Sequence, residues 1–199
     1  MSTTRVWTIP NLISIARLAC VPVFLWLLWG ADEPGWAAVL LAVLGATDWV
    51  DGYIARRYDQ GSELGKILDP TADRVLLVAA AIALLVEDLG TAINIVLWII
   101  LIREVLIAMA TIALGIAGAR RIDVVWAGKA GTLAIMFSLP AFLVAAAVEE
   151  LEFVGNLIGW CFAIGGIALG YYAAMKYVPA ARAALAEGRA ARTAAEVSG

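Results

Sequence analysis

The stretch Thr47–Arg74, TDWVDGYIARRYDQGSELGKILDPTADR, places six acids and four bases between two long apolar runs. Asp48 and Asp51 are three apart and share one face near the end of the first run. Asp69 and Asp73 are four apart and share one face at the start of the second. Asp69 precedes Pro70, which suits an N-cap followed by proline at the first helical position. A short hydrophilic link joins the two helix ends, so the helices are expected to be antiparallel neighbours with four carboxylates converging at one membrane surface.

Working outward, the rest of the chain is lipid-compatible. Of its 199 residues 63% are apolar and 16% charged, against roughly 25% charged in soluble domains. Mean hydropathy is +0.91. So apolar a chain cannot cover its surface with polar groups and must face lipid. Six apolar segments, roughly 12–29, 36–54, 70–86, 92–115, 130–148 and 153–175, are each long enough or nearly so to cross as helices. The links at 30–35, 87–91 and 149–152 carry Asp32, Glu33, Glu87, Asp88, Glu149, Glu150 and Glu152 and no base. All fourteen bases fall on the other side, so the positive-inside rule places the N-terminus, the 55–69 and 116–129 links and the C-terminus in the cytoplasm. The expected fold is therefore all-α: an integral membrane bundle of six transmembrane helices in the cell (inner or plasma) membrane, both termini cytoplasmic. Residues 1–178 form one membrane domain. Residues 179–199, after Pro179, form a cytoplasmic tail with a short helix that frays. No internal repeat or signal peptide is evident.

Four carboxylates at one place repel: a like-charge pair at 4 Å costs about 4 kcal/mol at an effective dielectric of 20. Ionisable groups at membrane depth are costly and point to function. All-oxygen ligation suits hard cations such as Mg²⁺, Mn²⁺ or Ca²⁺, and two such ions would offset four carboxylates. Two-metal sites suit displacement at phosphorus. Gly52, Ala55 and Gly65 leave room for a close approach, and Arg56, one turn beyond Gly52, can grip a phosphate. The chain has no histidine, so proton transfer falls to carboxylate, lysine or tyrosine. Cys20 and Cys161 lie in apolar runs as packing residues without disulfide or zinc spacing. Asp59, Glu63 and Arg57 read as interfacial charges.

The pattern Asp48-x2-Asp51-Gly52-x2-Ala55-Arg56-x8-Gly65-x3-Asp69-x3-Asp73 is complete, eight fixed residues over positions 48–73. It resembles the signature of the CDP-alcohol phosphotransferase family, and the six-span layout resembles that family over nearly the whole chain except the tail. The resemblance implies that Asp48, Asp51 and Asp69 hold one divalent ion, with Asp69 bridging, and that Asp48 and Asp73 help hold a second, Mg²⁺ or Mn²⁺. It implies that Asp73 takes the proton from the acceptor hydroxyl, and that Gly52, Ala55, Arg56, Ser62 and Gly65 bind or lie beside the CDP part of CDP-diacylglycerol. Attack at the β-phosphorus releases CMP, and a homodimer is expected. A carboxylate beside a metal-bound hydroxyl fits that role, because the metal makes the hydroxyl more acidic.

The opening Ile9-Pro10-Asn11-Leu12-Ile13-Ser14-Ile15-Ala16-Arg17 resembles the branch holding phosphatidylglycerophosphate synthases and cardiolipin synthases. It implies Asn11 and Ser14 near the nucleotide's phosphates, with Arg17 a turn further on; the plain alternative is a helix start with one snorkelling arginine. Arg103 and Lys129, with Arg120 or Arg121, can form a cationic pocket for an acceptor phosphate, whereas Glu104 beside Arg103 can be structural. The run Gly128-Lys129-Ala130-Gly131-Thr132 lacks the second lysine of the Gly-Lys-x-Lys-Thr run frequent in phosphatidylglycerophosphate synthases. The stretch from Trp160 to Tyr172 resembles the cardiolipin branch. Glycerol 3-phosphate is the favoured acceptor and phosphatidylglycerol the alternative.

A transporter would place its acids near the bilayer midplane on broken helices, and a scaffold has no reason to hold four aspartates; neither fits. The charge balance gives no reason to expect a nucleic-acid partner. Trp7, Trp26, Trp29, Trp36 and Trp98 read as interfacial or lipid-facing anchors.

Overall fold

The structure, a computed structural model, describes residues 9–58, 65–116 and 126–198, and within them all side chains except those at 9–11, 48–58, 65–70, 115, 178 and 180–198. Every long element is helical: α1 (Ile9–Trp29), α2 (Pro34–Tyr58), α3 (Gly65–Glu87), α4 (Thr91–Ile116), α5 (Trp126–Ala147) and, after a single 3-10 turn at Glu149–Leu151, α6 (Glu152–Ser198). No strand occurs among the described residues. By length and composition Leu12–Trp29, Thr91–Leu114, Trp126–Ala147 and Glu149–Tyr177 can each cross a membrane. The apolar part of α2, Pro34–Thr47, is shorter. The chain thus has an all-α membrane fold, in which α2 and α3 carry the charged segment.

The inward faces follow from the sequence period. On α1, Ser14, Arg17, Phe24 and Leu28 are buried and Val21 is half-buried. Their spacing of three and four residues draws one stripe down the helix. α3 is the central element and buries Ala72, Leu76, Leu77, Ala80, Ala81, Ala83 and Leu84 at 1% exposure or less. Its small alanines let α1, α4 and α5 approach from several sides. α4 turns Ile93, Val96, Leu97, Ile100 and Glu104 inward and exposes Ile95, Trp98, Ile102, Val105, Leu106, Met109 and Ile112. In a lipid solvent that apolar outer face needs no further cover. Trp26, Trp29, Trp36 and Trp98 are likewise exposed, as interfacial or lipid-facing anchors should be; Trp7 lies outside the described residues.

α5 and α6 meet most closely. A Cβ on Gly131 would stand 2.8 Å from the Gly166 carbonyl oxygen, and one on Gly166 would stand 2.8 Å from that of Gly131. Only hydrogen side chains permit this backbone contact, the small-residue packing by which helices associate in lipid. At the end of the bundle away from the acid-rich segment, Trp29 Nε1 donates to Glu87 Oε1 (2.8 Å), tying α1 to α3. The tight links there use Asp32 and Asp88 with φ of 55° and 51°, a left-handed geometry that aspartate tolerates better than most residues.

Three expectations need correction. α3 begins at Gly65, so Asp69 lies inside the helix rather than capping it, and Pro70 is not its first residue. α2 runs on to Tyr58, one turn past the expected end at 54, with Asp48 and Asp51 inside the helix as expected. The tail is not a separate short helix, because α6 continues through Pro179 to Ser198. Proline removes one hydrogen bond from a helix, and here the alanine-rich sequence on its far side sustains the helix.

Candidate active site

Both acid pairs sit on helices, one turn apart: Asp48 and Asp51 on α2, Asp69 and Asp73 on α3. Both helices pack against α1 and α5. The side chains of Asp48, Asp51 and Asp69 lie outside the described set, as do those of Asn11, Gly52, Ala55, Arg56 and Gly65. Ser62, Arg120 and Arg121 lie outside the described residues altogether.

The Asp73 side chain is described, and its carboxylate meets α1. Arg17 of α1 donates from Nη1 to Asp73 Oδ1, joining residues 56 apart in sequence. The Arg17 side chain is fully buried, and that of Asp73 is 20% exposed. Arg17 therefore does not snorkel to the interface; it crosses the bundle interior to a carboxylate. Ser14, also buried, lies one turn earlier on the same face of α1. The resemblance put Arg17 a turn beyond the residues expected near the nucleotide's phosphates and gave no sign of its partner. The one available signal is its place on the inward stripe with Ser14, Phe24 and Leu28.

A second polar cluster lies beside the first. Arg74 follows Asp73 on α3, about 100° further round the helix. Its Nε stands 3.8 Å from Oε2 of Glu104 on α4. Glu104, 6% exposed, accepts from Arg103 Nη1 through Oε1 at 2.5 Å. Arg103 Nη2 donates to Thr132 Oγ1 of α5 (3.3 Å), and the Thr132 hydroxyl donates to the Gly128 carbonyl (3.1 Å). Lys129, on the same helix, is exposed. Of the four cations expected to form an acceptor pocket, Arg103 is thus already matched to a carboxylate and Lys129 is open. The structure makes Glu104 more than a local partner of Arg103, because it also meets Arg74. Cys20 is half-buried and Cys161 exposed, both as free thiols, so Cys161 does not pack in the core. Exposure of an apolar thiol-bearing residue costs little in lipid.

The donor chemistry fits a hard divalent cation. Asp73 offers carboxylate oxygen, and the other three members of the set are also carboxylates. Among the described residues no group of three or more metal-ligating side chains occurs, since three of the four aspartates fall outside that set. At backbone level the two pairs lie on helices that share α1 and α5 as neighbours.

Comparison with known proteins adds a direct observation. Residues 7–172 match the sequence model described as CDP-alcohol phosphatidyltransferase. The match spans all four aspartates and both polar clusters. A Streptomyces coelicolor protein named cardiolipin synthase (CMP-forming) is 36% identical, over 89% of this chain and 84% of its own length. A Mycobacterium tuberculosis putative cardiolipin synthase is 32% identical, over all of this chain and 97% of its own. A Shigella flexneri CDP-diacylglycerol–glycerol-3-phosphate 3-phosphatidyltransferase is also 32% identical, over 90% and 97%.

Proposed function

The chain belongs to the CDP-alcohol phosphatidyltransferase family, and on that premise we propose that it transfers the phosphatidyl group of CDP-diacylglycerol to phosphatidylglycerol, forming cardiolipin and releasing CMP. The sequence favours glycerol 3-phosphate as acceptor. The Arg103–Glu104 pair carries the change of preference. With Glu104 at 2.5 Å, Arg103 has much of its charge offset before any acceptor arrives. The second lysine of the glycerol-3-phosphate-type run is absent, with Ala130-Gly131 before Thr132. A phosphomonoester carries a charge of about −1.5 to −2 at neutral pH and calls for more free cation than a phosphodiester. The cardiolipin synthase names of two relatives matched over most of their length support the same acceptor. Glycerol 3-phosphate stands as the second reading because the Shigella relative of that name is matched almost as fully.

In this reading Asp48, Asp51, Asp69 and Asp73 hold two divalent ions, Mg²⁺ or Mn²⁺, which when bound neutralise phosphate charge and polarise the reacting oxygens. Asp73 receives the proton of the acceptor hydroxyl as that oxygen bonds to the β-phosphorus and the bond to CMP breaks. Arg17 fixes the Asp73 carboxylate from the α1 side, so the base is oriented before substrate enters. Asn11, Ser14, Gly52, Ala55, Arg56, Ser62 and Gly65 receive the CDP part. The acceptor phosphate lies toward Arg103, Lys129, Arg120 and Arg121. The site faces the cytoplasm, where the charge rule puts the basic links, and the enzyme works as a homodimer in the cell membrane.

The test is label transfer by purified protein in detergent, with CDP-diacylglycerol, Mn²⁺ or Mg²⁺, and each acceptor offered separately. CMP release with phosphatidylglycerol and not with glycerol 3-phosphate is expected; the reverse establishes the second reading. Asp73→Asn should lower turnover by about 10²–10⁴-fold without altering the helical content. Turnover surviving in that variant would remove Asp73 from the chemistry.

A further inference from the structure

Glu104 is, among the described residues, a buried acid that the expected mechanism does not use. It lies 6% exposed on α4, whose other buried residues are Ile93, Val96, Leu97 and Ile100. A carboxylate in such a place is costly unless it is paired. Here it meets two guanidinium groups: Arg103, its neighbour on α4, and Arg74, which directly follows Asp73 on α3. Asp73 and Arg74 thus reach opposite neighbours, the first to Arg17 on α1 and the second to Glu104 on α4.

The surroundings hold Arg103 in that arrangement. Thr132 accepts from its Nη2. A Cβ on Gly170 of α6 would stand 2.7 Å from its Nε, so the glycine there leaves the guanidinium its space. The position of Arg103 is consequently set by α4, α5 and α6 together, with Glu104 as the only charged member of that frame among the described contacts.

We propose that Glu104 is a specificity-determining positioning residue, which sets the charge presented to the acceptor by holding Arg74 and Arg103 in a triad of net charge +1. This rests on the proposed acceptor side of the site. One net positive charge matches the single negative charge of a phosphodiester such as phosphatidylglycerol. A phosphomonoester, nearer −2, is matched only in part by this triad and comes close to a fixed carboxylate. Discrimination then comes as much from what Glu104 repels as from what the arginines attract. The triad also places the selecting charge one residue from the proposed base, so a wrongly charged acceptor is disfavoured where the hydroxyl must be positioned.

The experiment measures kcat and KM for phosphatidylglycerol and for glycerol 3-phosphate in the full chain and in Glu104→Gln, Glu104→Asp and Arg74→Gln. In Glu104→Gln the triad becomes +2, and the preference for phosphatidylglycerol should fall by about tenfold or more, chiefly through KM. Glu104→Asp keeps the charge and should keep the preference. Arg74→Gln takes the triad to zero and should move the preference the opposite way; this partly exposed residue also keeps the test open should Glu104→Gln not fold. A wild type that prefers phosphatidylglycerol, with a ratio unmoved in both Gln variants, overturns the charge match and leaves the acceptor reading standing. A wild type that prefers glycerol 3-phosphate overturns the acceptor reading and the charge match with it.

Discussion

Two helix contacts in this bundle solve the same problem in opposite ways. α1 and α3 are joined by a buried guanidinium on a carboxylate, Arg17 on Asp73. α5 and α6 are joined by the absence of side chains, Gly131 against Gly166. In lipid the hydrophobic effect does not drive helices together, so both contacts depend on close packing or on polar groups that would otherwise lack partners. The difference is that the first contact uses groups that the proposed chemistry also needs. Damage there should appear in both stability and turnover, whereas damage at the glycine seam should appear in stability alone.

The strongest way to break this comparison is Arg17→Met. It leaves Asp73 without its guanidinium at a largely buried position, and removing one partner of a buried pair costs about 3–5 kcal/mol; the 20% exposure of Asp73 puts the expectation at the lower end. Unfolding in detergent should occur at markedly lower temperature, and the surviving folded protein should turn over much more slowly. Turnover at the wild-type rate per folded molecule would separate the two roles and end the contrast.

Gly166→Val sharpens the other side. Its Cβ would stand 2.8 Å from a backbone oxygen, so the helices must move apart, at about 1–3 kcal/mol for an overpacked site. Thermal unfolding should shift downward while kcat and KM of the folded fraction stay within about twofold of wild type. A large change in KM for either acceptor would show that the seam transmits strain to Arg103 through Gly170, which lies one turn further along α6. The smallest effect belongs to Trp29→Phe, which removes the exposed hydrogen bond to Glu87 at the far end of α1 and α3. A loss of about 1 kcal/mol or less, with unchanged kinetics, is expected.

The same contrast explains which features were legible in the sequence. The four aspartates announced themselves because charge is rare in this chain and their spacing puts each pair on one helical face. The six helical segments followed from composition and length, and the exposed Trp26, Trp29, Trp36 and Trp98 agree with their reading as anchors. Arg17 on Asp73 could not be read, since a contact between residues 56 apart depends on how α1 and α3 pack. Glu104 looked like a local partner of Arg103 for the same reason: Arg74 joins it only across two helices. Helix ends were misplaced where local signals competed. Asp69-Pro70 has the chemistry of a helix start, yet α3 already begins at Gly65. Pro179 looked like a stop, yet the alanine-rich sequence beyond it keeps the helix going.

That last feature has a mechanical side. At 1.5 Å per residue, the 47 residues of α6 form a rod about 70 Å long. A hydrocarbon core is about 30 Å thick and the apolar part of α6 ends at Tyr177, so the remainder extends beyond the core. Gly170 packs against Arg103, which puts the protruding part at the same end of the bundle as Asp73 and Arg17. The helix thus continues for about 30 Å past Tyr177, on the side of the bundle that holds Asp73 and Arg17.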